Sequence, residues 1–310
     1  MSALICGSMA YDTVMVFQGR FREHILPDRI HMLNVSFLAP SMRRNFGGCA
    51  GNIAYNLKLL GGEGTIMATV GHDFAPYAVW LEQHGIASHH LRVIESEFSA
   101  QAYITTDLDD NQITAFHPGA MNHSHVNRVA DAAGVKLGIV SPDGRQGMLD
   151  HAAQFVAAGI PFIFDPGQGL PMFNGEELRA LIEQATYVAV NDYEASLLTE
   201  RTGWDAPTIA AKVKALIVTR GASGSWIYAD GARLEIPVAS AARLADPTGC
   251  GDAYRAGLLY GLQRGMDWAS TGRIASLAGA IKMEHHGTQH HTYTMTEFAA
   301  RYRAAFGHSL

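Results

Sequence analysis

The chain has 310 residues, 48% of them hydrophobic, which suits one large domain or two small ones. Its 23 Lys and Arg residues against 29 Asp and Glu residues give a formal charge of −6, so the chain as a whole offers no basic face to a nucleic acid. Its three cysteines are far apart and odd in number, which excludes a disulfide framework and a zinc-binding spacing.

No apolar segment approaches the ~20 residues needed to cross a bilayer. The N-terminal residues also lack the basic flank and the long apolar core of a signal peptide. We therefore expect a cytoplasmic protein with neither a membrane nor a nucleic-acid partner.

Short apolar strands alternate with helical segments, most clearly in the second half of the chain. In chain order we predict strands at residues 4–6, 137–140 and 159–164, a helix at 176–185, a strand at 187–190, a helix at 192–202 and a strand at 215–219. Strands separated by helices imply βαβ crossovers, and successive crossovers build a parallel sheet. The predicted fold is therefore α/β.

Two stretches interrupt this alternation. Residues 13–44 and 98–117 contain partly alternating strand patterns and no strong helix. We interpret them as a small β lid within a single domain that spans residues 1–310.

Polar residues stand just past the predicted strand ends. They are Asp12, Ser141, Asp165, Asn191 and Thr219. In open parallel sheets, ligands bind outside the carboxyl ends of the strands, so together these residues indicate a site at that edge. Each of them alone is explained equally well by an ordinary polar turn.

The strongest motif is residues 246–252 (DPTGCGD), which precede a predicted helix. Its glycines let the backbone turn tightly and approach a ligand, and the unpaired N–H groups of the helix start can hold an anion. Asp252 lies in the first turn, where a carboxylate could take the proton of an attacking hydroxyl group. The alternative is a structural acid at a helix start. Tyr254 excludes a dinucleotide fingerprint here, because that motif needs glycine at this position.

A second motif covers residues 46–54 (FGGCAGNIA) and leads into a helix that Gly61 and Gly62 end. Paired glycines before the helix would let a ligand touch the backbone. The amide of Asn52 can both donate to and accept from a sugar hydroxyl group. The alternative is a tight loop that Asn52 caps.

Together the two motifs resemble those of the ribokinase-like (PfkB) carbohydrate kinases. Further similar segments occur in the family's order along essentially the whole chain. They are residues 7–12, the Asn-x-x-Glu sequence at 191–194 and residues 219–224 (TRGASG).

Within that family, the chain looks most like bacterial nucleoside kinases, such as adenosine kinases. The segments responsible are residues 46–54, 104–121 and 164–170. The resemblance implies a ribokinase-like three-layer α/β sandwich, with a mostly parallel central sheet and the small β lid over the acceptor.

The resemblance also assigns the residues of phosphate transfer. Asp252 is implied as the base, and the backbone of Gly249, Cys250 and Gly251 as the anion hole. Cys250 is a departure, because the family usually has Ala there. Its backbone N–H is unaffected, and we expect a thiol beside a helix N-terminus to have a lowered pKa and to be open to oxidation.

ATP and magnesium are assigned to the next two segments. The resemblance places Asn191 and Glu194 near Mg²⁺, mainly through water, as this hard ion prefers. It assigns Asn191, Thr219, Gly221 and Gly224 to ATP. The alternatives are a helix cap for the first pair and an ordinary strand-to-turn connection for the other three residues.

On the acceptor side, Asp12, Gly48 and Asn52 match the family's sugar-binding positions. A carboxylate that accepts from two neighbouring hydroxyl groups suits the diol of a ribose. Phe37 and Phe116 lie in the predicted lid and could stack on a flat base. The alternatives are a turn residue for Asp12 and packing within the lid for each Phe.

Residues 165–168 (DPGQ) depart from family members that act on sugars, which often have Asn and Arg nearby. Gln168 is assigned to the acceptor, and the lack of an Arg disfavours a phosphosugar. Four histidines, His285, His286, His290 and His291, have no coherent spacing for a metal site. We expect them to border the ATP pocket or to be exposed.

The leading hypothesis is a kinase that phosphorylates the 5′-hydroxyl group of a ribonucleoside such as adenosine or inosine, with ATP as co-substrate and a role in purine salvage. A ribokinase or another sugar kinase is one alternative. A non-catalytic nucleotide or sugar sensor on the same fold is another, although the retained Asp252 disfavours it. A monovalent-cation requirement, and the choice between monomer and homodimer, stay open at this point.

Overall fold

Thirteen strands form two sheets in the computed structural model, which describes residues 2–25, 34–109 and 111–310. The strands are β1 Ser2–Cys6, β2 Ala10–Val16, β3 Ser41–Gly47, β4 Gly64–Gly71, β5 Ala87–Ile94, β6 Ala100–Thr106, β7 Gln112–His117, β8 Val135–Val140, β9 Phe162–Phe164, β10 Tyr187–Asn191, β11 Ala215–Thr219, β12 Ser225–Ala229 and β13 Ala232–Ile236. The α-helices are α1 Phe21–His24, α2 Cys49–Leu59, α3 Ala75–Gln83, α4 Arg145–Ala157, α5 Gly175–Gln184, α6 Asp192–Thr202, α7 Ala206–Ala210, α8 Cys250–Gln263, α9 Trp268–Met283 and α10 Met295–Phe306. Short 3₁₀ turns occupy Gly119–Val126, Val129–Asp131, Gly167–Met172 and Gly221–Ser223.

The larger sheet has nine strands in the order β13-β12-β11-β10-β9-β8-β1-β4-β5. All neighbours from β11 to β5 are parallel, and only β12 and β13 join antiparallel at one edge. The predicted α/β fold with a mostly parallel central sheet is therefore confirmed.

Helices cover both faces of this sheet. Side chains of a strand alternate between faces, so Ala3 and Ile5 of β1 join one core while Leu4 and Cys6 join the other. Helices α2, α3, α8, α9 and α10 pack in the first core, and α4 to α7 pack in the second. The result is three layers. Among the described residues, none of these helices is both long and apolar enough to cross a membrane.

Most predicted elements lie where the sequence placed them, but one strand is shorter. The predicted strand at 159–164 begins only at Phe162, because Gly159 has φ 64° and forms the turn that follows α4. The predicted helix at 176–185 begins one residue earlier. Its start is fixed by Asn174, whose side chain and that of Glu177 form a reciprocal capping box.

The smaller sheet has the order β3-β2-β6-β7, with β2 and β6 parallel and both outer pairs antiparallel. Its strands come largely from the two segments that interrupt the α/β alternation, of which residues 26–33 and 110 lie outside the described part. The short helix Phe21–His24 was not predicted. Asp12 follows β1 as expected but lies within β2, so the alternative of a turn residue was wrong.

Small residues let α8 pack close to α9, and this close packing sets the position of the N-terminus of α8. A Cβ at Gly257 would lie 2.4 Å from the Cα of Ala275, and one at Gly261 would lie 2.3 Å from Thr271 Oγ1. Any larger side chain would push the helices apart. α8 also packs against α2, which joins the two glycine-containing motifs.

Candidate active site

The first turn of α8 opens into a large cavity. Gly249 precedes this helix with φ 79°, a left-handed conformation that glycine adopts without strain. A Cβ at Gly251 would meet no atom within 4 Å, so the backbone here faces open space. The N–H groups of Gly249 and Gly251 are therefore placed to hold an anion, whereas that of Cys250 donates to the carbonyl oxygen of Pro247 at 3.1 Å.

The cavity has a volume of about 630 Å³ and lies between the two sheets. The ends of the parallel strands contribute Pro142, Asp143, Asp165, Asn191 and Thr219, and the smaller sheet contributes Ala10, Asp12, Ala102, Thr114 and Phe116. The helix starts and neighbouring loops contribute Ser8, Gly48, Cys49, Asn52, Met121, Gly167, Gln168, Gly169, Met172, Glu194, Thr248, Gly249, Gly251, Asp252 and Arg255. Eleven of the fifteen residues predicted for the site thus line one volume, and Cys250, Phe37, Gly221 and Gly224 do not.

Asp252 is half-buried at the base of this cavity. Asn52 Nδ2 donates to its Oδ2 at 2.8 Å. Burial raises the pKa of Asp252 to about 7, with a further increase from Asp165, while the bond from Asn52 and the charge of Arg255 oppose this rise. Asp252 does not cap its own helix. Its carboxylate is free to exchange a proton near neutral pH.

Arg255 lies one helical turn beyond Asp252 and was missed by sequence reasoning. Its Nη2 donates to Asp165 Oδ1 at 2.9 Å and to the carbonyl oxygen of Ala189 at 3.2 Å. The two charged side chains are 5% and 6% exposed. The signal was its spacing of three residues from Asp252, which places both on one face of α8. Arg255 thereby neutralises the charge of Asp165 close to Asp252.

The loop before α8 is anchored through Asp246. Backbone N–H groups of Thr248 and Gly287 each donate to its carboxylate at 2.9 Å, and the buried Lys282 donates to its carbonyl oxygen at 2.8 Å. These bonds outweigh burial, so the pKa of Asp246 is lowered. Asp246 thereby holds the turn before α8 in place.

Asp12 projects into the cavity from the smaller sheet. It lies close to β3, where a Cβ at Gly47 would stand 2.4 Å from its Oδ2. Burial, and next the charge of Asp246, raise the pKa of Asp12 to about 6. Gly48 has φ 85°, and a Cβ there would lie 2.5 Å from the carbonyl oxygen of Ser8. Glycine is thus required where α2 begins.

Asn52 is the fourth residue of α2, so it does not cap a loop. Its side chain is buried and faces Asp252. The alternative of a tight loop that Asn52 caps is therefore wrong.

Asn191 and Glu194 form a reciprocal capping box at the start of α6. Asn191 Oδ1 accepts from the N–H of Glu194 at 2.7 Å, and Glu194 Oε2 accepts from the N–H of Asn191 at 2.8 Å. Both also line the cavity. Burial raises the pKa of Glu194, although Arg255 lowers it. The cap and a role at the cavity therefore coexist, because Glu194 Oε1 is not used in the cap.

The two lid phenylalanines lie in different places. Phe116 is 51% exposed and lines the cavity. Phe37 packs instead against Phe17 and Phe21, each with ring centroids 4.9 Å from its own. The geometry thus favours packing within the lid for Phe37, because its apolar ring is satisfied by that aromatic cluster.

Gly221 and Gly224 lie in the turn after β11, next to the cavity rather than in its lining. Gly224 has φ 76°, and a Cβ there would lie 2.2 Å from the carbonyl oxygen of Ile236. Thr219, at the end of β11, does line the cavity, as does the exposed Gln168.

The thiol of Cys250 does not behave as the sequence suggested. Its Sγ turns to the carbonyl oxygen of Asp246, at 3.9 Å. Burial raises its pKa to about 11, and the lowering influence of Lys282 is too small to offset this. The expected lowered pKa was wrong, because burial, with the charges of Asp246 and Asp252, raises it.

The C-terminal histidines do not form one group. His291 is fully buried, bonded through Nε2 to Asn56 Oδ1 at 2.8 Å, and burial lowers its pKa to about 3. The expectation of exposure was wrong for this residue but holds for His286 and His290. Nδ1 of His285 bonds to the carbonyl oxygen of Ile281, and Nδ1 of His290 bonds to that of His286.

Similarity to known proteins agrees with this geometry. Residues 9–295 match the model of the pfkB family of carbohydrate kinases. A Burkholderia thailandensis nucleoside kinase solved with inosine is 55% identical, with a TM-score of 0.91 over 99% of both chains. The same protein solved as an ADP-inosine complex is 56% identical, with a TM-score of 0.88 over 99% of this chain and 97% of that one. A nucleoside kinase of Methanocaldococcus jannaschii is 33% identical over 258 residues, 83% of this chain and 85% of that one.

Proposed function

The chain belongs to the pfkB family of carbohydrate kinases, and from that premise we propose that it transfers the terminal phosphate of ATP to the 5′-hydroxyl group of a ribonucleoside such as inosine or adenosine. The observation that carries the proposal is the position of Asp252. Its carboxylate has a pKa of about 7 and faces the cavity beside the open first turn of α8. The similar proteins solved with inosine support this class of acceptor.

The smaller sheet supplies a row that suits a nucleoside. Asp12 lies opposite Ala102 in β6, and Ala102 lies opposite Phe116 in β7. All three line the cavity, so the carboxylate and the aromatic ring lie on one face, about two strand spacings or ~10 Å apart. In our proposal the ribose diol donates to Asp12, the base stacks on Phe116, and the exposed Gln168 bonds to the edge of the base.

A phosphorylated sugar fits this cavity less well. Its one lining arginine among the described residues, Arg255, is already paired with Asp165. An acceptor phosphate would therefore bring a charge without a free partner, which is costly.

Transfer would proceed in line, with Asp252 accepting the proton of the 5′-hydroxyl group as its oxygen attacks the terminal phosphorus. The N–H groups of Gly249 and Gly251, together with that of Cys250 once it leaves the carbonyl oxygen of Pro247, would stabilise the charge that develops on the transferred phosphoryl oxygens. The products are ADP and a nucleoside 5′-monophosphate. The proton then leaves Asp252 for solvent.

Asn191 and Glu194 fit a water-mediated role with Mg²⁺. The capping box uses one oxygen of Glu194 and leaves Oε1 to accept from water. Among the described residues, no three His, Cys, Asp or Glu side chains converge as a metal cage. This suits an ion that keeps several waters and binds mainly to substrate phosphates, whose charge it would neutralise.

ATP would lie along the edge formed by Asn191 and Thr219, with Gly221 and Gly224 shaping the turn beyond it. Both glycines have positive φ and no side chain, so the backbone of this turn can come close to ATP. Because ATP is a cytoplasmic metabolite, the proposal includes a cytoplasmic role in purine salvage.

The test is a panel of acceptors compared by kcat/KM under identical conditions. We expect inosine and adenosine to outperform ribose and fructose 6-phosphate, and the product to carry phosphate on the 5′-oxygen. If ribose or fructose 6-phosphate is the better acceptor, the nucleoside assignment fails while the phosphotransferase assignment stands. If no acceptor stimulates ATP consumption, a sensor on the same fold is favoured.

A further inference from the structure

The buried side-chain amide of Asn52 lies between Asp252 and Gln289. Asn52 Nδ2 donates to Asp252 Oδ2 at 2.8 Å, and Asn52 Oδ1 accepts from Gln289 Nε2 at 3.0 Å. Asn52 and Gln289 are both buried. An amide presents a donor on one side and an acceptor on the other, so its orientation decides which of the two the base meets.

Trp80 fixes the orientation of the Gln289 amide. Its indole Nε1 donates to Gln289 Oε1 at 3.0 Å. An indole N–H can only donate, so the group that faces it must be the amide oxygen. Nε2 of Gln289 is then left to face Asn52.

Tyr77 imposes the same orientation independently. Its hydroxyl group donates to the carbonyl oxygen of Gly47 at 2.9 Å and accepts from Gln289 Nε2 at 2.5 Å. A carbonyl oxygen can only accept, so the single hydroxyl proton of Tyr77 is committed to Gly47. Towards Gln289 the Tyr77 oxygen must therefore be an acceptor.

We propose that Trp80 and Tyr77, acting through Gln289, are positioning residues that hold the Asn52 amide with its N–H towards Asp252. Turning Asn52 round would set its N–H against that of Gln289 and leave both without acceptors, which is costly in a buried site. In the orientation that the relay holds, a protonated Asp252 meets the Asn52 N–H, a donor, instead of an acceptor. The relay thus favours the ionised base, and in this respect the inference rests on the proposed role of Asp252.

Other charged and titratable groups also act on Asp252 from the elements packed around it. They are Asp12, Asp165, Arg255, Cys49, Cys250, Lys282 and Tyr77. Only Tyr77 belongs to the relay, and burial raises its pKa well above the ordinary value, so it is uncharged near neutral pH. Substitutions at Trp80 or Tyr77 leave the other six groups in place and remove the hydrogen bonds beyond Gln289, together with the bond from Tyr77 to Gly47.

The test measures the pKa of Asp252 directly, from the ¹³C shift of its side-chain carboxyl group in labelled protein. The uncharged Gln289→Met variant removes the donor to Asn52, and the Tyr77→Phe/Trp80→Phe double variant removes both groups that orient Gln289. We expect each to raise the pKa of Asp252 by roughly 1 unit, the worth of about one hydrogen bond. The acid limb of the kcat/KM profile should move to higher pH by the same amount. Gln289→Glu, which accepts where Gln289 donates, should move it further.

Gln154→Met is the matched control, because the side chain of Gln154 accepts from the N–H of Val129, on the opposite face of the sheet from Asn52. It should leave the Asp252 pKa unchanged. An unchanged pKa in both Gln289→Met and the double variant would overturn the proposal, and so would an activity loss that is equal at every pH. The titration needs no turnover, so it distinguishes failure of the relay from failure of the proposed nucleoside kinase activity.

Discussion

Asn52 Nδ2 lies 2.8 Å from Asp252 Oδ2, although 200 positions separate the two residues along the chain. The bond joins the helices that follow the two glycine motifs, α2 and α8, at the base of the cavity. It supplies a directed donor to a carboxylate that burial would otherwise neutralise. The proposed base is therefore poised near neutral pH rather than fixed in either form.

The pH dependence of catalysis should reflect this carboxylate. Burial raises the pKa of Asp252 above its ordinary value to about 7, so the base becomes ionised only as pH rises through that value. We expect kcat/KM for inosine to fall about tenfold per pH unit below 7 and to level off above it. Asp12, with a pKa of about 6, should steepen the fall at lower pH. A profile that stays flat well below pH 6 would contradict both assignments.

Asp12→Asn should discriminate between acceptors with and without the ribose diol. It keeps the size of the side chain but removes the charge that accepts from two hydroxyl groups. We expect kcat/KM for inosine to fall ~10-fold or more, as for a hydrogen bond to a charged group. The 2′,3′-dideoxy acceptor, which retains the 5′-hydroxyl group, should be poor with wild type and little affected by the substitution. Equal losses for both acceptors would place Asp12 outside the diol site.

Glu194→Gln should raise the magnesium concentration needed for half-maximal activity. Glutamine at this position can still complete the capping box with Asn191, so the helix start is preserved while the charge is lost. We expect a shift of several-fold with little change in thermal stability. Full activity of wild type in excess chelator would remove both residues from a metal role.

Phe116→Ala and Phe37→Ala form a matched pair. Phe116 lines the cavity, so its loss should weaken inosine binding by the ~1–3 kcal/mol that stacking of a base on an aromatic ring contributes. KM for inosine should rise by the corresponding factor, with little effect on Tm. Phe37 packs with Phe17 and Phe21, so its loss should lower Tm and change KM less. The reverse pattern, read from KM and Tm together, would exchange the two roles.

The sequence predicted the elements whose signals are local. Helix Asp192–Thr202 matches its prediction because a capping box and a left-handed Gly203 mark its ends within the chain itself. Strand Ala215–Thr219 matches because it is a continuous apolar run. The place of Asp252 in the first turn of a helix was also predictable, because the adjacent glycines mark where that helix begins.

What the sequence did not indicate depends on residues that are distant along the chain. Arg255 pairs with Asp165 across 90 positions, and Gln289 reaches Asn52 across 237. No local pattern selects such partners. The same holds for Cys250, where the helix start was visible in the sequence but the burial that raises its pKa was not. Burial is a property of packing, which the periodicity of one segment does not fix.

The most direct test of the account is phosphoryl transfer by Asp252→Asn, measured in a single turnover with ATP and inosine already bound. We expect both ligands to bind and transfer to slow ~10²–10⁴-fold, the usual effect of losing a general base. Asp267→Asn is the control, because Asp267 is an acid at a helix start that only caps its helix, through the N–H of Ser270. It should transfer at the wild-type rate. Transfer by Asp252→Asn at that same rate would show that Asp252 is a structural acid and would contradict the proposed mechanism.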